Sequence, residues 1–177
     1  MEYGKFRDKI IGLQSDWGEF QVEFLDETSF KSLTDRLLDV VGGYTTIYIT
    51  GYFSKAIEDQ LTRLLAAHKI RLISPELTND RKDQRNLEVM RKLVGKGAEI
   101  KINNRMHARF LVAHTPDFHK RGIVILGSFD FNTECMGGER YDIGIKTTNP
   151  DLVESTIALF EKIWKEPESV NLLEKYP

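Results

Sequence analysis

The chain has 177 residues, 41% hydrophobic and 29% charged, a size and balance that suit one domain with its own core. Its formal net charge of −2 denies it a general attraction to polyanions, so any contact with nucleic acid has to come from a local basic cluster. One cysteine, Cys135, excludes an intramolecular disulfide and a cysteine-based zinc site, and no apolar run is long enough to cross a bilayer.

The opening residues, Met1-Glu2-Tyr3-Gly4-Lys5, lack the basic-then-apolar order of a signal peptide, so a cytoplasmic protein without membrane contact is expected. Glu19 to Leu25 alternates and reads as an edge strand. Thr28 or Ser29 can cap a helix to about Val41, with Phe30, Leu33, Leu37, Leu38 and Val41 on one side and Gly42-Gly43 as its stop. Tyr44 to Thr50, rich in β-branched and aromatic residues, reads as a strand. Ser54 caps a helix to about His68, striped by Ile57, Leu61, Leu64 and Leu65. A strand at Lys69–Ser74, a helix from about Gln84 ended by Gly95 or Gly97, and a strand at Ala98–Ile102 follow. Further strands are expected at Ala108–Ala113, Ile123–Gly127 and Tyr141–Lys146. A last helix starts near Pro150, capped by Asn149. Strands alternating with helices predict an α/β sandwich, a sheet between helical layers.

Three segments carry the chemistry. In Met106-His107-Ala108-Arg109-Phe110, residues two apart share a strand face, so His107 and Arg109 point together while Ala108 and Phe110 face the opposite layer. A guanidinium offers a planar fork to phosphate oxygens, and an imidazole acts as nucleophile or acid–base near neutral pH. In Gly127-Ser128-Phe129-Asp130-Phe131-Asn132, glycine permits close backbone approach, while Ser128, Asp130 and Asn132 offer polar groups. In Tyr141-Asp142-Ile143-Gly144-Ile145, a carboxylate stands at a strand start, placed to orient a histidine and favour its protonated form.

In their order and spacing these segments resemble the phospholipase D superfamily, whose pattern is H-x-K-x(4)-D, then G-S-x-N, then a short acidic strand motif. Ile47–Gly51, Leu61–Ala67, Ile70 and Gly97-Ala98-Glu99-Ile100 extend the resemblance over roughly 44–165. The departures are Arg109 at the lysine position, His114 at the aspartate position and Asp130 at the asparagine position, where a carboxylate would repel phosphate unless protonated or turned aside. Asn132 is then an alternative source of the amide, and Glu139 an alternative to Asp142 as the acid of the last motif.

The expected fold is therefore an α/β, phospholipase D-like sandwich, with a mixed, mostly parallel sheet flanked by helices on both faces. It would span 1–177 as a single domain, with 1–43 as an N-terminal strand and helix extension, 44–165 as the core and 166–177 as a tail. The resemblance implies a metal-independent phosphodiesterase without a cofactor, in which one histidine attacks phosphorus and a second protonates the leaving oxygen. A single copy of the motif implies a homodimer with one composite site at a two-fold axis. Catalytic roles fall to His107, Arg109 and Asp142, and substrate contacts to Ser128, Asp130 and Asn132. Single-copy members of this size are mostly nucleases, which points to nucleic acid. Arg81, Lys82, Arg85 and Arg105 are candidates for a basic rim, set against the plainer reading of a solvated helix entry. The alternative is a catalytically degenerate module that binds nucleic acid or a small phosphorylated or sugar ligand. A lipid phosphodiester is a third reading. His68, His114 and His119 read as structural, and Tyr52, Phe53, Phe129 and Phe131 as core and loop anchors.

Overall fold

A computed structural model of the chain describes residues 10–15, 18–26, 35–116, 121–131 and 142–177. The strands are β1 (Ile10–Ser15), β2 (Gly18–Leu25), β3 (Thr46–Thr50), β4 (Lys69–Ser74), β5 (Glu99–Ile102), β6 (Phe110–His114), β7 (Gly122–Gly127), β8 (Gly144–Thr147) and β9 (Val170–Asn171). The helices are α1 (Leu37–Val41), α2 (Lys55–Leu65), α3 (Arg81–Gly95), α4 (Pro150–Lys165) and α5 (Leu172–Lys175). The strands form one sheet in the order β1-β2-β8-β7-β6-β3-β4-β5-β9.

Alternation along the strands divides the core into two layers. Ile47, Ile49, Ile70, Leu72, Leu111 and Ile125 face one way and pack with Leu37 of α1, Ile57, Leu61 and Leu64 of α2, and Met90 and Leu93 of α3. Tyr48, Ile73, Phe110, Val112 and Val124 face the other way and pack under Val153 and Phe160 of α4. Helices thus cover both faces, as expected for an α/β sandwich.

The sheet is mixed, but the expectation that it is mostly parallel is corrected. Among the described strands, the parallel ladders are β3–β4 and β4–β5. The ladders β1–β2, β2–β8, β3–β6, β5–β9, β6–β7 and β7–β8 are all antiparallel. The cause lies in the connections. Helices α2 and α3 provide the long crossovers that parallel neighbours require, whereas β6 passes to β7 through a short link that allows only an antiparallel return. The strand expected at the edge, β2, is not an edge strand, because β1 lies outside it. The expected helix from Thr28 or Ser29 falls mostly outside the described residues, and its end is α1. Helix α3 starts earlier than the apolar stripe suggests, because Asp80 caps it, accepting from the N–H groups of Lys82 and Asp83 at 2.8 Å. Asn149 caps α4 as expected, accepting from Leu152 N–H. The tail forms β9 and α5.

One consequence of this topology positions the site. Strands β3, β4, β5 and β7 all end at one edge of the sheet, and β6 and β8 begin there. Residues at 51–54, 74–81, 103–109, 128–131 and 142–143 therefore meet along that edge.

Helix α4 is held to the sheet by more than apolar contact. The ring of Phe160 stacks on Tyr48 at 4.2 Å and on Trp164 at 5.6 Å. The Tyr48 hydroxyl donates to Glu161 Oε1 at 2.7 Å, and the same oxygen accepts from Arg71 at 3.0 Å. Burial, then the hydrogen bond and charge of Glu161, push the Tyr48 phenol up to about 12, against the opposing pull of Arg71. Its folded pKa lies above its ordinary value, so its contribution to stability is complete below pH 10 and is lost as pH rises through 12. Tyr48→Phe is expected to cost about 1 kcal/mol at neutral pH. In urea unfolding, the gap between parent and variant should close between pH 10 and 12.

Candidate active site at the sheet edge

His107 and Arg109 lie just before β6, where regular pairing stops. Thr50 supplies what the ladder no longer does. Its hydroxyl donates to Ala108 C=O at 2.9 Å and accepts from Phe110 N–H at 3.0 Å, so a β3 side chain fixes the backbone that carries both residues. His107 is exposed, and among the described residues its ring makes no hydrogen bond. Ala108 was expected to face the opposite layer. It is exposed, because this segment lies outside the strand. Phe110 is buried in the α4 layer as expected.

Arg109 donates from Nε to Asp130 Oδ1 at 2.7 Å, with side chains 20% and 7% exposed. That carboxylate oxygen also accepts from Tyr52 N–H at 3.2 Å. Asp130 is therefore turned aside onto a cation, one of the two ways in which its charge could be accommodated. Gly51 has φ +133°, a conformation open to glycine, and a Cβ there would press on Asp130 Oδ1 from 3.3 Å. Tyr52 packs half-buried against the core, as expected of an anchor, and also sits at the site. Its phenol is raised above its ordinary range by burial and by the carboxylates of Asp83 and Asp130, with Arg109 opposing.

Ser128 and Asp142 form a second pair. The Ser128 hydroxyl donates to Asp142 Oδ1 at 2.8 Å and accepts from Ile143 N–H at 3.2 Å, while Ser128 N–H donates to Ile143 C=O at 3.0 Å. Asp142 is 7% exposed, and its Oδ2 has no hydrogen-bond partner among the described residues.

Phe129 explains the shape of the segment. Gly127 and Gly144 face each other across β7 and β8, and the Phe129 ring fills the space that both leave open. Phe129 meets Phe131 edge-on at 6.1 Å, and Phe131 stacks on Phe53 at 6.2 Å. These three rings are the anchors that were expected. With Phe129 and Phe131 turned inward, the polar residues Ser128 and Asp130 serve the edge.

The other expected residues fall elsewhere. Asn132 and Glu139 lie outside the described residues. Arg105 is exposed and lies 3.9 Å from Glu168, on the far side of the edge from β7. His114 is buried against the edge of the Tyr48 ring at 5.2 Å, a structural position. Among the described residues no group of three or more histidine, cysteine or carboxylate side chains is arranged to hold a metal ion. No described helix is long and apolar enough to cross a membrane.

A family profile described as "Cardiolipin synthase, PLD-like domain" matches residues 44–164. The chain belongs to the phospholipase D-like family. Its fold is similar to Nuc from Salmonella typhimurium, a phospholipase D family member, with TM-score 0.65 and 16% identity over 86% of this chain and 96% of that one. It is also similar to NucT from Helicobacter pylori, with TM-score 0.64 and 14% identity over 86% and 99% of the two chains. A third similar fold is in TrmBL2, an archaeal chromatin protein with a novel mode of DNA binding, with TM-score 0.55 and 13% identity over 84% of this chain and 54% of that one. No curated protein sequence matches the chain.

The facing glycines give a direct test. Gly144→Ala would drive a methyl into the Phe129 ring and is expected to cost about 1–3 kcal/mol in urea unfolding. Phe129→Leu should be partly compensatory, making the double variant more stable than the sum of the single effects.

Proposed function

We propose that this chain is a phosphodiesterase of the phospholipase D type that cleaves nucleic acid as a homodimer, without a metal cofactor. The observation that carries the reading is the setting of His107. It is exposed at the edge where four strand ends bring the Arg109–Asp130 and Ser128–Asp142 pairs together. In this reading the His107 imidazole attacks phosphorus and the leaving oxygen departs with a proton from the partner's His107. Water then attacks the phosphohistidine, giving its proton to the partner's His107 and restoring the free imidazole. Asp142 Oδ2 is the available acceptor for an imidazolium N–H. The Arg109 guanidinium supplies positive charge to the phosphoryl oxygens in the transition state.

A homodimer is supported by the surface beside the site. Ile143, next to Asp142, is 72% exposed, and Phe24 of the neighbouring strand is 57% exposed. Large apolar side chains exposed at a functional edge favour a covering surface, and a second copy would complete the pair of histidines. Phe24→Lys combined with Ile143→Lys is expected to leave a monomer in sedimentation at micromolar concentration, with cleavage lost.

A specific observation favours a second reading. Asp130 holds Arg109 Nε and cancels its charge, which suits a domain that binds a phosphodiester without turning it over. One experiment separates the two. Single- and double-stranded DNA and RNA are incubated with the protein in excess chelator. The phosphodiesterase reading expects cleavage, reduced by about 10³-fold or more in His107→Ala. Binding without cleavage, or cleavage untouched by His107→Ala, sinks it and leaves the binding module.

A further inference from the structure

A groove of about 550 Å³ runs between α2 and α3, lined by Ser54, Lys55, Glu58, Lys82, Arg85 and Lys92 among others. Both helices begin at the sheet edge that carries the site. The groove is joined to the site through its first residue: Ser54 N–H donates to Phe131 C=O at 3.1 Å, and Tyr52, two residues earlier, hydrogen-bonds Asp130.

Its charge differs from that of the chain. Lys82, Arg85, Val89, Lys92 and Lys96 recur every three or four residues, so they share one face of α3. That face turns toward α2, where Lys92 lies 3.5 Å from Glu58 and Lys96 donates to Thr62 at 3.1 Å. Lys55 adds a cation from α2. Against these stand Glu58 and Glu88, in a chain whose net charge is −2. Lys82 and Arg85 also sit in the first turns of α3, where the helix dipole disfavours cations, so helix stability does not account for them. Among the described residues no aromatic side chain lines the groove to offer a platform for stacking bases. Cations spaced along a groove without stacking platforms match a sugar-phosphate backbone, and Val89 with the aliphatic stems of the lysines gives the groove an apolar floor beneath them. From Lys82 to Lys92 the helix rises by about 15 Å, the length of roughly four nucleotides of a strand.

We infer that the α2–α3 groove is a sequence-independent cradle for the phosphate backbone of a nucleic-acid strand leaving the site at the sheet edge. The inference rests on the reading of that site as one that handles nucleic acid. Glu58 limits the cradle by holding Lys92.

The test is anisotropy of a labelled 20-mer of oligothymidylate, titrated with the full chain carrying His107→Ala so that binding is read without cleavage. Adding Lys55→Ala, Lys82→Ala and Arg85→Ala together should weaken binding roughly 100-fold near 0.1 M salt and lower the salt slope by about 2. Adding Glu58→Gln should tighten binding several-fold by releasing Lys92. Lys162→Ala, on α4 at the opposite face, should change neither quantity. Should the triple variant not fold, Glu58→Gln decides alone. Unchanged affinity and slope in the triple variant, or unchanged affinity in Glu58→Gln, overturns the cradle. The two readings fail separately. A parent chain that binds through the groove but cleaves nothing loses the phosphodiesterase and keeps the cradle. A chain that cleaves while its affinity ignores the groove substitutions loses the cradle alone.

Discussion

The Arg109–Asp130 ion pair is the contact from which the sheet edge is hung. One oxygen of Asp130 accepts from Arg109 Nε at 2.7 Å and from Tyr52 N–H at 3.2 Å. It thereby ties the exit of β7 to the approach of β6 and the exit of β3. At 5% exposure, a carboxylate without a counter-charge would cost several kcal/mol, about as much as many domains have to spare. A lysine could neutralise it only as a point charge. Arginine presents Nε sideways to the carboxylate and carries the rest of its planar fork beyond it. Arg109 and Asp130, which look in the sequence like two separate departures from the family pattern, are physically one change.

That coupling shows what a linear reading can and cannot find. His107, Arg109, Ser128, Asp130 and Asp142 stand out from residue type and order, because an imidazole, a cation and polar groups follow one another there in the order of the family pattern. Which of them touch is a property of the sheet. Asp142 reads as a partner for histidine, yet the sheet sets its Oδ1 against the Ser128 hydroxyl, a contact that residue order does not show. Tyr52 reads as one more aromatic anchor, because nothing local shows that Asp83 of α3 and Asp130 after β7 converge on it.

The fold divides in the same way. The segments β3–α2–β4–α3–β5 follow the local pattern, since each helix supplies the crossover that a parallel pair needs. The antiparallel half is set by pairings between distant segments, such as β2 with β8, where Val22 opposes Thr147. Strand register answers to which face is buried rather than to neighbouring residues, so no window of sequence contains it. The facing glycines Gly127 and Gly144 are the sharpest case. Gly127 reads as room for backbone approach and Gly144 as one position of a strand, and together they are the space for one phenylalanine ring.

Electrostatics joins the two halves. A chain of net charge −2 cannot draw a polyanion from a distance, and the ion pair at the sheet edge cancels the charge that would do so close in. Any attraction has to come from cations placed nearby and left facing solvent. The parallel half supplies the places: both of its crossover helices start at the edge, and the face of α3 that meets α2 carries Lys82, Arg85 and Lys92. The antiparallel half supplies the edge that carries His107, because strands that run in opposite directions bring both a beginning and an end to the same line. The candidate site, of low local charge, thus lies beside a groove lined by several cations on the other half of the sheet. Substitutions in one can then change without redesigning the other, as long as Asp130 keeps its hold on Arg109.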